Sequence, residues 1–271
     1  MGSVQTSVGK VGVVEAGSGP ALPILFLHGV GSDKSVWHPQ LDYFGQGRRA
    51  VAMDYPGYGD SEPHDGATRD DFARAAVALL DALGIEQAHV CGLSLGGVVA
   101  IAMADLARVR CASLILADSF AVHPDGQAIH DRSVAASRAM TMAELAAART
   151  PSLLAAGASD AVKDEVIATM GRIDPAAYRQ GAAAVWLADQ RERATRIALP
   201  TLVVVGAEDT ITPPALSQEL AQLVGRASEP AQGVEVVTIP DAGHLANLEQ
   251  PGAFNRAVDR FITDSEATPR G

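Results

Sequence analysis

The chain is poor in aromatics, cysteine and positive charge. Aromatic residues make up 4% of its 271 residues, so a core must be packed mainly by alanine, valine and leucine. There are two cysteines, Cys91 and Cys111, too few for a disulfide scaffold. Both fall in or beside apolar strand-like runs, which points to two buried free thiols and a reducing, cytoplasmic setting. Lys and Arg total 21 against 32 Asp and Glu, a net charge of −11. A nucleic-acid binder would need a basic face. No apolar stretch reaches the ~20 residues that span a bilayer. Residues 1–20 also lack the apolar run of a secretion signal. Repeats and low-complexity tracts are missing as well. The expected partner is a small molecule, with no nucleic acid and no membrane; composition leaves a homo-oligomer open.

What is present is a well-filled α/β pattern. At 48% hydrophobic, the chain can core one sizeable domain. Residues 8–16 alternate loosely and predict an early β-ribbon. Residues 23–27, 49–53, 113–117, 201–205 and 234–239 read as strands, and residues 89–91 as a short one. Phe72, Ala75, Ala76, Leu79, Leu80 and Leu83 have helical spacing, closed by Gly84. A last helix carries Phe254, Val258, Phe261 and Ile262 on one side, and the tail after Asp264 reads as frayed. Apolar strands alternating with helices predict a mostly parallel sheet with helices on both faces. The alternation stops between residues 121 and 196, where only helical patterns occur, at 142–148, 161–170 and 175–188. That stretch predicts a helical cap over the strand ends, where open α/β sheets bind ligands. The division is a core of residues 1–120 and 197–271 and a cap of residues 121–196.

Gly92-Leu93-Ser94-Leu95-Gly96 sits between a strand pattern and a small-residue helix. A serine on such a turn has its hydroxyl exposed at a sheet edge, beside helix-start amides that can stabilise an oxyanion. A serine hydroxyl needs a base, and the base an orienting acid. Asp209 follows the strand 201–205 and His244 follows the strand 234–239, in the order Ser, Asp, His. Asp118, at the end of the strand 113–117, is the rival acid. Glu208 is adjacent but would point differently, and Asp241 lies too close in sequence to His244 to orient it from behind. The amides of Leu95 and of Val30, in His28-Gly29-Val30-Gly31, are the expected oxyanion donors. His28 itself is expected to brace that loop rather than react.

These pieces, with Asp54-Tyr55-Pro56-Gly57-Tyr58-Gly59-Asp60-Ser61, Gly206-Ala207-Glu208-Asp209 and Ala242-Gly243-His244, resemble the α/β-hydrolase superfamily over nearly the full chain. The resemblance implies an eight-stranded α/β-hydrolase sheet with a cap insertion. Residues 243–251 and 189–191 are most similar to 3-oxoadipate enol-lactonases and related small-molecule ester and lactone hydrolases. Relatives that place aspartate at the serine position, the haloalkane dehalogenases and epoxide hydrolases, are excluded by Ser94. C–C bond hydrolases of vinylogous diketones also resemble the chain, as do small-ligand receptors of the same fold with little turnover. The resemblance requires no metal and no organic cofactor. Trp37, Met140, Met142 and Trp186 are candidate pocket walls. Arg132, Arg138 and Arg179 in the cap are candidate contacts for a substrate carboxylate, with solvated helix-face positions as the alternative.

Overall fold

A computed structural model describes residues 2–225 and 234–267. Seven strands form one sheet: β1 (Gly2–Thr6), β2 (Gly9–Leu27), β3 (Arg48–Met53), β4 (Ala88–Leu93), β5 (Cys111–Ala117), β6 (Thr201–Gly206) and β7 (Val234–Ile239). β2 is long and irregular, and it fills two places in the sheet. Its partners in β3 fall from Met53 to Ala50 along Val13–Ala16, then rise from Ala50 to Met53 along Ile24–Leu27. The two arms of β2 therefore bracket β3, which gives eight strand positions. β1 pairs antiparallel with the first arm. From the second arm the order continues in parallel through β4, β5 and β6 to β7. The sequence reading broke β2 at Gly17-Ser18-Gly19-Pro20, a run of turn formers that the chain instead uses to redirect a continuous strand.

Burial explains the order. Every residue of β4, β5 and β6 is buried, as expected for central parallel strands covered on both faces. β7 lies at the edge and is partly exposed along most of its length. Side chains alternate between two cores. Leu25, Leu27, Val51, Val90 and Leu114 face one layer; Ile24, Phe26, Cys91, Ile115 and Val204 face the other. Helices α1 (His38–Phe44), α2 (Arg69–Ala82) and α3 (Leu95–Leu106) follow the early strands. α2 starts with a capping box between Thr68 and Asp71, which satisfies two orphan backbone donors.

Between β5 and β6 lie α4 (Gly126–Ala139), α5 (Met142–Leu153), α6 (Asp160–Gly171), α7 (Pro175–Trp186) and the short α8 (Arg191–Ala194). The alanine-rich run is cut at Met140, because Thr141 and Glu144 form a capping box that starts a new helix. The two ends of the insertion meet. Val122 bridges Asp189, and the Gln190 amide donates to the Ala121 carbonyl at 2.7 Å. The chain then continues with α9 (Pro214–Val224), α10 (Ala246–Glu249) and α11 (Pro251–Ala267). α2, α3 and α9 contribute to the first core, α1 and α11 to the second. α11 runs past Asp264 to Ala267; the rest of the expected frayed tail lies outside the described residues. Among the described residues no helix is long and apolar enough to cross a membrane.

Candidate active site

Ser94 joins β4 to α3 with φ 55° and ψ −111°, a left-handed backbone that a serine adopts at a cost of ~1–3 kcal/mol. The glycines around it are required by crowding. A Cβ on Gly92 would meet the Gly96 carbonyl, one on Gly96 the Leu27 carbonyl, and one on Gly97 the Ser119 side chain. The strained turn is held from both sides. The Ser94 amide donates to the Ala117 carbonyl at 2.8 Å, and the Ser119 hydroxyl donates to the Ser94 carbonyl at 2.8 Å.

The structure brings Ser94, His244 and Asp209 together. His244 Nε2 lies 3.0 Å from Ser94 Oγ, and its Nδ1 lies 2.9 Å from Asp209 Oδ2. All three side chains are buried. An acceptor at Nδ1 fixes the tautomer, so Nδ1–H donates to Asp209 and Nε2 is free to accept from the serine. Asp209 is itself saturated. Its Oδ1 accepts from the amides of Ile211 and Thr212 at 2.8 and 2.9 Å. Its Oδ2 also accepts from the Thr212 hydroxyl at 2.6 Å. Burial pushes the carboxyl up, but His244 and these donors outweigh it and bring the pKa down to about 2. Thr212 was not singled out from the sequence; its position three residues after the acid is the only signal that marks it.

Asp118 ends β5 at the same sheet edge, with φ 46°. Its Oδ1 accepts from the Gly206 amide at 2.8 Å, while Oδ2 has no protein partner. Burial, then the charge of Asp209, raises its pKa well above the usual carboxylate range. Its hydrogen bond goes to the Gly206 amide, whereas the acid that meets His244 Nδ1 is Asp209.

The loop after β2 lies against the serine: a Cβ on Gly29 would sit 3.5 Å from Ser94 Cβ. His28 braces this loop. Its Nδ1 donates to the Gly29 carbonyl at 2.8 Å, and Nε2 accepts from the Tyr55 amide at 3.4 Å. Burial lowers its pKa, keeping it neutral. Tyr55 and Tyr58 hydroxyls donate to the carbonyls of His28 and Val30, both at 3.2 Å. Lys34 anchors the far end. Its buried ammonium meets Asp54 at 2.5 Å and Asp60 at 2.7 Å, so the run from Asp54 to Ser61 acts as a clamp on the loop after β2. Burial opposes the charge on Lys34, but the two carboxylates win and raise its pKa. Arg172, at the end of α6, reaches Asp33 at 2.7 Å and the Ser35 hydroxyl at 2.7 Å.

A small chamber of about 30 Å³ opens on Ser94 and His244, bounded by Val30, Leu153, Met170 and Trp186. Of the four aromatic and methionine candidates, Trp186 lines it. The other three are corrected by the structure. Trp37 is fully buried in the second core, its ring 4.8 Å from Phe26. Met142 packs into the first core beside Leu145. Met140 caps α4 and is exposed. Among the arginines, Arg132 lines a separate groove of about 620 Å³, while Arg138 lines neither this groove nor the chamber and is exposed, and Arg179 lines neither. Arg149 lines both spaces, although nothing in the spacing of α5 distinguishes it.

A parallel sheet with a strained serine turn, and an aspartate and a histidine past neighbouring strand ends, defines the α/β-hydrolase fold. The sequence pattern of the alpha/beta hydrolase family matches residues 24–257, and the chain belongs to that family. It is 31% identical over 248 residues to 3-oxoadipate enol-lactonase 2 of Acinetobacter baylyi, covering 90% of this chain and 88% of that one. The enol-lactonase of Burkholderia xenovorans LB400 has a similar structure, with a TM-score of 0.86 at 28% identity over 96% of this chain and 99% of that one. A thermophilic esterase from Thermogutta terrifontis, solved with malate bound, gives a TM-score of 0.87 at 26% identity over 97% and 98%.

Proposed function

We propose that the protein is a serine hydrolase that cleaves a small-molecule carboxylic ester or lactone, in the manner of the enol-lactonases it resembles. The observation that carries this reading is the unbroken chain Ser94 Oγ, His244, Asp209 at 3.0 and 2.9 Å. In this mechanism His244 Nε2 takes the Ser94 proton as the hydroxyl attacks the carbonyl. The amides of Leu95 and Val30 hold the oxyanion. Leu95 opens α3, so its N–H has no acceptor within the helix. His244 then returns the proton to the leaving oxygen, and water, activated by the same histidine, hydrolyses the acyl-enzyme. Asp209 holds the tautomer and stabilises the imidazolium. Residues 121–196 act as the cap that roofs this chamber. Two buried free thiols, Cys91 and Cys111, suit a cytoplasmic setting.

Ser94→Ala is expected to lower kcat by at least about 10³-fold with the fold intact. Retention of ester turnover within tenfold of wild type would remove Ser94 from the mechanism. A panel of an enol-lactone, simple esters and a vinylogous diketone separates lactone, ester and C–C bond cleavage by relative kcat/KM.

A further inference from the structure

The space over the nucleophile is narrow. About 30 Å³ is the share of a single water molecule in the liquid, whereas small-molecule sites occupy about 300–1,000 Å³. A space of that size does exist, but it is not the one that holds Ser94. The groove of about 620 Å³ lies between α4, α5 and the start of α9, and includes Thr210 and Ile211, which directly follow Asp209. It therefore runs beside the catalytic loop. Its walls are mostly apolar, formed by Ile129, Leu145, Ile211, Pro213, Ala215 and Leu216.

Arg149 is the residue common to the two linings. It is half-buried, and its Nη1 donates to the hydroxyl of the fully buried Tyr178 at 2.5 Å. Among the described residues it forms no ion pair. A guanidinium held by a neutral hydroxyl is held more weakly than one held by a carboxylate, and its long stem has several rotatable bonds. Arg149 thus stands on the boundary of both spaces, held there by one uncharged acceptor.

We propose that Arg149 is a movable partition, and that its release from Tyr178 joins the two spaces so that the apolar chain of an ester lies in the groove with its carbonyl at Ser94. This rests on the ester-hydrolase reading and deepens it, because it names the substrate class: esters or lactones carrying an apolar chain rather than compact ones. The chain can belong to the acid or to the alcohol, and the chemistry of the groove is the same for both.

The test is pH-stat hydrolysis of two series, ethyl esters from acetate to octanoate and acetate esters from ethyl to octyl. Tyr178→Phe removes only the acceptor of Arg149. It is expected to raise the ratio of long-chain to short-chain kcat/KM about tenfold, the worth of one hydrogen bond to a charged group. Ala215→Trp, at an exposed position on the groove wall, is expected to lower the same ratio about tenfold or more by filling the groove with a side chain of aromatic size. The series that responds identifies which side of the ester bears the chain. If Ala215→Trp leaves both chain-length profiles superimposed on wild type, the groove is not the substrate site. If Tyr178→Phe changes short and long substrates alike, Arg149 is not the partition. Wild type that hydrolyses neither series nor an enol-lactone would instead sink the hydrolase reading itself.

Discussion

Asp118 and Asp209 follow strands at one sheet edge, yet their surroundings shift their pKa values in opposite directions. Asp209 is surrounded by donors that hold its pKa down to about 2, whereas burial and the charge of Asp209 raise that of Asp118. Asp209→Asn is expected to lower kcat about 10⁴-fold, because an amide can stabilise the wrong tautomer. Asp118→Asn, a near-isostere of the protonated acid, should leave kcat within tenfold. The reverse pattern in steady-state kinetics would transfer the acid role to Asp118. Ser94, His244 and Asp209 were legible in the sequence because each follows an apolar run that can only be a strand, and strand ends converge on one edge. Thr212 and Arg149 were not legible. The side chain of Thr212 matters through its contacts with Asp209 at 2.6 Å and His244 Nδ1 at 3.2 Å, and that of Arg149 through how α5 lies on α7.

At the scale of elements, residues 121–196 meet the loops that carry Asp209 and His244 through a handful of polar contacts. The end of α5 takes part in two, as the His244 amide donates to the Leu153 carbonyl at 2.8 Å and the Thr210 hydroxyl to the Ser152 carbonyl at 3.3 Å; just beyond it the Ala155 amide donates to Glu249 at 2.7 Å. The end of α6 is held by Arg172 on Asp33 and Ser35. Arg172 is 49% exposed in its side chain, so its pair is worth at most about 1 kcal/mol. Arg172→Ala is expected to speed amide hydrogen exchange in α6 while α3 and the central strands keep wild-type protection. Equal acceleration in the core would show that α6 does not open by itself. Sequence pattern located the core helices well, since their apolar stripes face a sheet whose order the strands already imply. It located the cap helices less well. Only the end of α4 is marked, by the helical-looking alanine-rich stretch from Ala135 to Ala158, because Ala, Ser and Gln give little contrast between its faces, and Met140 lies at a helix end where no stripe defines inside.

Across the whole molecule, the acidic composition sets the response to pH. Asp209 has a folded pKa of about 2 against an ordinary value of 3.8. A depressed carboxylate contributes stability above its unfolded pKa and loses it as pH falls through the folded one. Asp209 alone therefore contributes about 2 kcal/mol at neutral pH, lost between about pH 4 and 2. Asp33, Asp70 and Glu266 shift in the same direction. Asp118 and Glu249 shift the other way, so their contribution is complete below the ordinary carboxylate range and declines as pH rises through their raised values. Urea midpoints from pH 2 to 8 should climb steeply from pH 2 to 4, then flatten or decline. A flat profile below pH 4 would contradict the ionised state of Asp209.

The meeting of Ala121 and Val122 with Asp189 and Gln190 makes the insertion a closed excursion from the core. Whatever lies between those four residues, the core sees the same entrance and exit. Helices that shape the groove can be lengthened, shortened or exchanged as a cassette without moving the strand ends that hold Ser94, Asp209 and His244. On the proposed mechanism, selectivity and bond-breaking would then occupy separately variable parts of one chain.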